Sequence, residues 1–128
     1  LLKQLTDAAA GHVQIPITLD VSADADSLPA EVQTVFYRIA QESLSNIIKH
    51  ARARRVDVRF THQNGEACLQ ISDDGRGFDL TQPRSGHYGL QIMRERAVTL
   101  GATLNMTSQP GHGTRIILNW SASATVSL

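Results

Sequence analysis

Hydrophobic and polar positions along this chain alternate with two periods, and the switch between them marks out the elements. Val13, Ile15, Ile17, Leu19 and Val21 alternate with Gln14, Pro16, Thr18 and Asp20, a period of two that predicts a strand. Pro16 has no backbone donor, which points to a sheet edge. Upstream, Leu1 to Ala10 reads as the end of a helix with Gly11 as its stop. After a polar turn at Ala23 to Ser27, Pro29 opens a long helix reaching about Ala51. Val32, Val35, Phe36, Ile39, Ala40, Leu44, Ile47 and Ile48 form its apolar stripe. Val56, Val58 and Phe60 then alternate with Asp57, Arg59 and Thr61. Asn64-Gly65 is a two-residue hairpin signal, and Leu69, Ile71 and Asp73 alternate with Gln70 and Ser72 beyond it. A glycine-rich loop runs from Asp73 to Gly89. A second helix from Leu90 to Leu100 closes at Gly101. Leu104 and Met106 form a strand, and Thr114 to Trp120 the last one, across a Pro110-Gly111-His112-Gly113 turn.

The strand phases predict an architecture. One sheet face carries Val56, Val58, Phe60, Leu69, Ile71, Leu104, Met106, Ile116, Leu118 and Trp120. The other carries Asp57, Arg59, Thr61, Gln70, Ser72, Thr103, Asn105, Thr107, Arg115 and Asn119. A sheet with one apolar and one polar face is covered by helices on one side only. The expectation is therefore an α+β two-layer sandwich, not a doubly wound fold.

With 128 residues, of which 41% are hydrophobic, the chain has the apolar content for one packed core. Lys and Arg number 12 against 12 Asp and Glu, which argues against a dedicated nucleic-acid binder. No apolar run approaches the ~20 residues needed to span a bilayer. A single cysteine, Cys68, excludes an internal disulfide or a multi-cysteine zinc site, and it fits a reducing compartment. The chain begins at Leu1, and its methionines are Met93 and Met106, so it reads as part of a longer protein.

Four clusters carry candidate chemistry. On the long helix Arg38, Glu42, Asn46 and His50 follow at i, i+4 steps, each advancing about 40° around the axis, to make a slowly drifting polar stripe. It is either a solvated face with an Arg38–Glu42 pair or a metal and phosphate site. In the second reading Asn46 offers a neutral oxygen to Mg²⁺, Glu42 orients or deprotonates an attacking group, and Lys49 meets a phosphate. The second cluster is Asp73-Asp74-Gly75-Arg76-Gly77-Phe78. Asp73 is in phase with Leu69 and Ile71, so it points inward, where an unpaired carboxylate is costly and an adenine amino group is a suitable donor. Gly75 and Gly77 let the backbone approach a flat ligand, and Asp74, out of phase, reads as solvated. The same glycine spacing also serves an ordinary turn. The third cluster, Gly86-His87-Tyr88-Gly89-Leu90, precedes a helix whose N-terminal N–H groups suit a phosphate, or is a plain cap. Its spacing matches neither a Walker loop nor a dinucleotide fingerprint. The fourth is Gly111-His112-Gly113-Thr114, with Thr114 in phase with Ile116: a hairpin turn, or an inward hydroxyl.

Taken in order, the clusters resemble the ATPase superfamily of gyrase, MutL and histidine kinases, over roughly Val13 to Trp120. Gln41-Glu42-Ser43-Leu44-Ser45-Asn46-Ile47-Ile48-Lys49-His50-Ala51 resembles the kinase N box, and Asp73 to Phe78 the G1 box. His87-Tyr88-Gly89-Leu90-Gln91-Ile92-Met93-Arg94-Glu95-Arg96-Ala97, followed by Leu100-Gly101, resembles the G2 region of the nitrate/nitrite-sensor-like subfamily. The resemblance implies a Bergerat-type ATP-binding fold with a mixed, mostly antiparallel sheet of about five strands, in line with strand signals of this kind. It implies ATP and Mg²⁺ as cofactors and Asn46 as the metal ligand. Glu42 is implied as the catalytic acid/base or polarising group, and Lys49 and His50 as phosphate-side contacts. Asp73 is implied as the adenine acceptor, with Gly75 and Gly77 shaping the pocket, Gly89 and Leu90 closing the lid side, and Thr114 supporting the adenine end. Tyr88 stands where the general family often has a third G2 glycine, and the segment from Gly77 to Gly89 is short, so Arg84 and His87 receive no role.

The implied organisation is the end of a linker helix at residues 1–12, a catalytic domain at 13–120 and a tail at 121–128. The implied function is the catalytic domain of a cytoplasmic two-component sensor histidine kinase. Its partners would be a dimerisation domain bearing the phosphoacceptor histidine and, indirectly, a LuxR-type response regulator. The chain itself is expected to be monomeric, with no direct contact to nucleic acid or membrane. An anti-sigma-type serine kinase and a non-catalytic module of the same fold are the alternatives. The Met93-Arg94-Glu95-Arg96 helix disfavours the first, and Glu42, Asn46 and Asp73 disfavour the second. His12, at a helix end before a strand, lacks the helical flanks of a phosphoacceptor.

Overall fold

The computed structural model describes residues 2–13, 15–23, 28–77 and 87–122. Three α-helices and five strands follow in the order α1 (Leu2–Val13), β1 (Ile17–Ala23), α2 (Ala30–Asn46), a π-helical turn (Ile47–Ala51), β2 (Val56–Gln63), β3 (Glu66–Asp73), α3 (His87–Thr99), β4 (Thr103–Ser108) and β5 (Thr114–Ser121). One mixed sheet has the order β1-β2-β3-β5-β4. β1 runs parallel to β2, and the remaining pairs are antiparallel. The helices pack on one face, as the alternating strand pattern requires.

Register explains why the core closes. Val58, Ile71 and Ile116 stand opposite one another across β2, β3 and β5, as do Phe60, Leu69 and Leu118 in the next row. All six are at most 5% exposed. α2 brings Val32, Phe36, Ile39, Ala40 and Leu44 down onto this face, and the π turn adds Ile47. Phe36 meets Phe60 edge-on, ring centroids 6.0 Å apart at 87°. A fully buried aliphatic or aromatic side chain contributes roughly 1.5–3 kcal/mol, so one such row outweighs any local propensity. Leu104 and Met106 are only half-buried, because β4 is an edge strand. The opposite face stays polar: Arg55 binds the Asp57 carboxylate at 3.1 Å, and Thr18, its partner across the β1–β2 register, donates to the same group. These bonds hold the Asp57 carboxyl below the usual range, the Thr18 bond first. Among the described residues no helix is long and apolar enough to cross a membrane.

Several boundaries differ from the sequence reading. α1 does not stop at Gly11 but continues to Val13, and β1 starts at Ile17. A helical glycine costs only about 1 kcal/mol. Thr6 and Ala9, 3% and 7% exposed, pack α1 on its neighbours and outweigh that cost. Pro29 sits at the N-cap of α2, one residue before the first turn, with Gln33 Nε2 donating to the Leu28 carbonyl at 2.8 Å. The last strand includes Ser121, paired with Glu66, and the Ala122 N–H bonds the Gly65 carbonyl, so the tail starts later than residue 121. Two punctuation signals act as read. Asn64 and Gly65 both have positive φ, 54° and 77°, as a type I′ turn demands. Gly101, at φ 72°, ends α3: its N–H bonds Val98 O and that of Ala102 bonds Ala97 O, a Schellman motif.

Candidate functional site

β3 is the middle strand, and Asp73 is its last residue, flanked in register by Val56 on β2 and Thr114 on β5. The phase that makes Leu69 and Ile71 core residues turns Asp73 inward as well, and it is 9% exposed. Its Oδ1 accepts the Gly75 N–H at 2.7 Å, while its Oδ2 is buried with no hydrogen-bond partner within normal distance among the described residues. Burial pushes the Asp73 carboxyl above its ordinary range; the Gly75 N–H acts against this, Asp74 adds to it, and the Thr114 N–H opposes it. A buried acceptor left unpaired costs about 1–3 kcal/mol. This oxygen has the capacity to accept one further hydrogen bond.

The loop after Asp73 is shaped by glycine. Gly77 has φ +62°, and a Cβ there would stand 2.1 Å from the Gln109 carbonyl oxygen. Gly113 has φ +78°, and a Cβ there would stand 2.1 Å from the Asp73 carbonyl oxygen. The β4–β5 turn is thus pressed against the G1-like loop, an approach sealed by the Gly111 N–H bonding Arg76 O. Gly77 was read as admitting a flat ligand; its close neighbour in the structure is the protein's own hairpin. The half-buried Thr114 faces the same side, its hydroxyl 2.9 Å from Ser108 Oγ, which also donates to Gly113 O at 3.2 Å. Ser108 was not singled out in the sequence, because only its cross-strand register with Thr114 reveals it.

α2 contributes the second part. Glu42 and Asn46 are half-buried, Arg38 and Lys49 exposed. Arg38 and Glu42 are both described and form no ion pair with each other, so the pair of the solvated-face reading does not form. From Ile47 the helix becomes π-helical, so the constant period of 3.6 that draws the stripe through Glu42 and Asn46 does not continue past Asn46. The π turn closes on Arg52, a non-glycine residue at φ 50°. The two residues after Ala53 are held by Asp74: its Oδ1 accepts the Arg54 N–H at 2.7 Å and the Arg55 N–H at 3.0 Å. Out of strand phase, Asp74 is expected to be solvated; it is exposed, and it is also the acceptor at the turn into β2. The Arg55 N–H, ahead of that of Arg54, holds its carboxyl below the usual range despite some desolvation.

Residues 87–90, placed before a helix by the sequence, form the first turn of α3. The backbones of Gly89 and Leu90 therefore lie at a helix N-terminus. Phe78, Arg84 and the segment from Leu80 to Gly86 lie outside the described residues. Ser43, fully buried on α2, donates to Met93 Sδ of α3 at 3.7 Å and joins the two helices. No group of three or more His, Cys, Asp or Glu that could hold a metal occurs among the described residues. An ion held chiefly by nucleotide phosphates and waters, with a single neutral oxygen such as that of Asn46, fits that donor set; a protein-built cage does not.

The family of histidine kinase-, DNA gyrase B- and HSP90-like ATPases matches residues 31–124. The chain is 38% identical over 89 residues to the sensor protein VraS of Staphylococcus haemolyticus, covering 70% of this chain and 26% of that protein. It thus spans about a quarter of the length of the curated relatives it matches. Among solved structures, the histidine kinase domain of the Erythrobacter litoralis EL346 blue-light activated kinase superposes with a TM-score of 0.75 at 25% identity, over 97% of this chain and 60% of that one. The Acinetobacter baumannii histidine kinase AdeS gives 0.71 at 17% identity, over 94% and 62%, a likeness of fold. The chain belongs to this ATPase family.

Proposed function

From membership of that ATPase family, we propose that the chain is the catalytic, ATP-binding domain of a two-component sensor histidine kinase. The whole protein would transfer the ATP γ-phosphate to a histidine on a dimerisation domain, for relay to a response regulator. The observation that supports the site assignment is the buried Oδ2 of Asp73, without a partner among the described residues, beside a loop and hairpin brought together at Gly77 and Gly113. In this reading Asp73 accepts the adenine amino group, Gly75 fixes its other oxygen, and Thr114 lines the base end. Gly77 shapes the pocket indirectly, by seating the hairpin. Asn46 supplies the protein oxygen to Mg²⁺, Glu42 polarises or deprotonates the attacking group, and Lys49 and His50 face the phosphates. Gly89 and Leu90 close the lid side from the first turn of α3. Bound Mg²⁺ would supply charge neutralisation on the phosphate oxygens.

The finer placement rests on the motif from His87 to Ala97: a nitrate/nitrite-sensor-like kinase partnered with a LuxR-type regulator. We assign residues 1–12 to a linker helix from a dimerisation domain, 13–120 to the catalytic domain and the final residues to a tail, all on the cytoplasmic side of the parent sensor. The sensor VraS likeness favours this reading over a serine kinase of the anti-sigma type. Calorimetry with ADP and Mg²⁺ tests it: saturable binding is expected, and no heat or thermal shift at millimolar nucleotide would overturn it. With γ-labelled ATP the chain alone should stay unlabelled and a supplied dimerisation domain should become labelled. Acid-labile label on His12 or His50 would contradict the division of labour.

A further inference from the structure

The proposed site has two ends on different elements, and the chain between them must turn sharply. Asn46 ends α2, the π turn follows, Arg52 takes a left-handed conformation, and by Val56 the backbone is in strand register with Asp73. A left-handed non-glycine residue is disfavoured by about 1–2 kcal/mol, so something must hold the turn. The bonds that hold it come from Asp74 to the N–H groups of Arg54 and Arg55. Asp74 is thus adjacent in sequence to the residue read as the base acceptor and bonded to the backbone that follows the phosphate-side helix.

We propose that Asp74 is a positioning residue: through these two bonds it fixes the π-helical end of α2, with Asn46 and Lys49, relative to Asp73. It touches no ligand. Its function is to make the base end and the metal–phosphate end one rigid site, which rests on the nucleotide-binding reading above. The base pocket has its own supports, in the β3–β5 register and the Gly77 and Gly113 contacts. The α2 end has the Asp74 bonds. Loss of Asp74 should therefore spare the base and weaken the phosphates.

The test uses the whole chain, with adenosine and with ADP in the presence and absence of Mg²⁺. In Asp74→Ala, adenosine affinity should stay within about twofold, while the Mg²⁺-dependent gain in ADP affinity should fall about tenfold, the lower end of the scale expected when charge-assisted hydrogen bonds are lost. Asp74→Asn keeps an oxygen acceptor and should restore most of the gain. A side chain with a purely structural role would depress adenosine and ADP alike. An unchanged Mg²⁺ gain in Asp74→Ala, or Asp74→Asn as defective as Asp74→Ala, would overturn the proposal. If the parent chain binds no nucleotide, the functional reading itself fails, a distinct result. Should Asp74→Ala not fold, amide exchange in the parent decides: Mg²⁺-ADP should slow the Arg54 and Arg55 amides several-fold and adenosine should not, and equal effects of the two ligands would refute it.

Discussion

Asp73 and Asp74 are consecutive, yet they belong to different parts of the site and are perturbed in opposite directions. Asp73 stands on the central strand, buried, with one oxygen unpaired and its carboxyl pushed up by desolvation. Asp74 stands at the surface, with two backbone donors on one oxygen and its carboxyl pulled down. One residue of strand phase makes the difference. The comparison extends to the two ends they mark. The proposed base end is built from sheet register and close backbone contact, with one Asp73 oxygen unpartnered among the described residues. The proposed phosphate end lies on a helix that abandons its own period after Asn46 and is followed by a turn bonded to Asp74. A binding group can be preorganised by rigid packing or by a tether, and in the proposed reading this chain uses one at each end.

The largest expected effect breaks the base end outright. Gly113→Ala adds a Cβ 2.1 Å from the Asp73 carbonyl oxygen at φ +78°. Stability should fall by roughly 2–4 kcal/mol, read as a lower urea midpoint, with nucleotide binding lost in parallel. Gly111→Ala is the control. At φ +83° it meets no atom within 4 Å, so only the conformational penalty of about 1–2 kcal/mol applies. Equal losses in the two variants would show that the hairpin contact is not what the glycine serves.

Next comes the carboxylate itself. Asp73→Asn keeps the size but presents an amide, and ATP affinity should fall by about tenfold or more, where one decade is ~1.4 kcal/mol. The loss should be the same with and without Mg²⁺. Wild-type affinity in Asp73→Asn would remove Asp73 from the base pocket. A smaller, differently shaped effect belongs to Asn46→Ala: ADP without metal should bind as before, and the Mg²⁺-dependent gain should shrink about threefold to tenfold, the scale of one lost hydrogen bond or ligand. If metal-free binding drops equally, Asn46 is not the metal ligand.

The smallest effect is the pH response, and its sign separates the two carboxylates. Asp73 has a raised folded pKa, so the native state binds more protons than the unfolded one between the unfolded value of about 3.9 and the folded one. Stability should therefore fall as pH rises through that window, and the ionised Asp73 remains a cost above it. Asp74 has a lowered folded pKa: its contribution is present above the unfolded value and is lost as pH falls through the folded one. Urea titrations from acid to neutral pH should show Asp73→Asn gaining on the parent as pH rises, and Asp74→Asn losing on it over the lower range. The same trend in both variants would contradict the assigned environments.

Much of this was legible in the chain. Period-two alternation named the buried row Val58, Ile71, Ile116 and turned Asp73 inward, because the side-chain period of a strand is fixed by backbone geometry. Asn64-Gly65 and Gly101 were legible for a similar reason: positive φ excludes most other residues, so the turn is written in the residue type. Apolar content on one strand face required helices on that side alone. These are local or periodic constraints, and the sequence by itself determined them. Other features depended on atoms distant in the chain. The extension of α1 through Gly11 follows from packing of Thr6 and Ala9 that outweighs a weak local preference. The π turn at Ile47, the seating of Gly77 and Gly113 against remote carbonyls, the Ser108–Thr114 pair and the capture of the Arg54 and Arg55 amides by Asp74 carry no local signature. Each is a contact between segments whose approach is set only when the sheet assembles, so tertiary structure alone decided them.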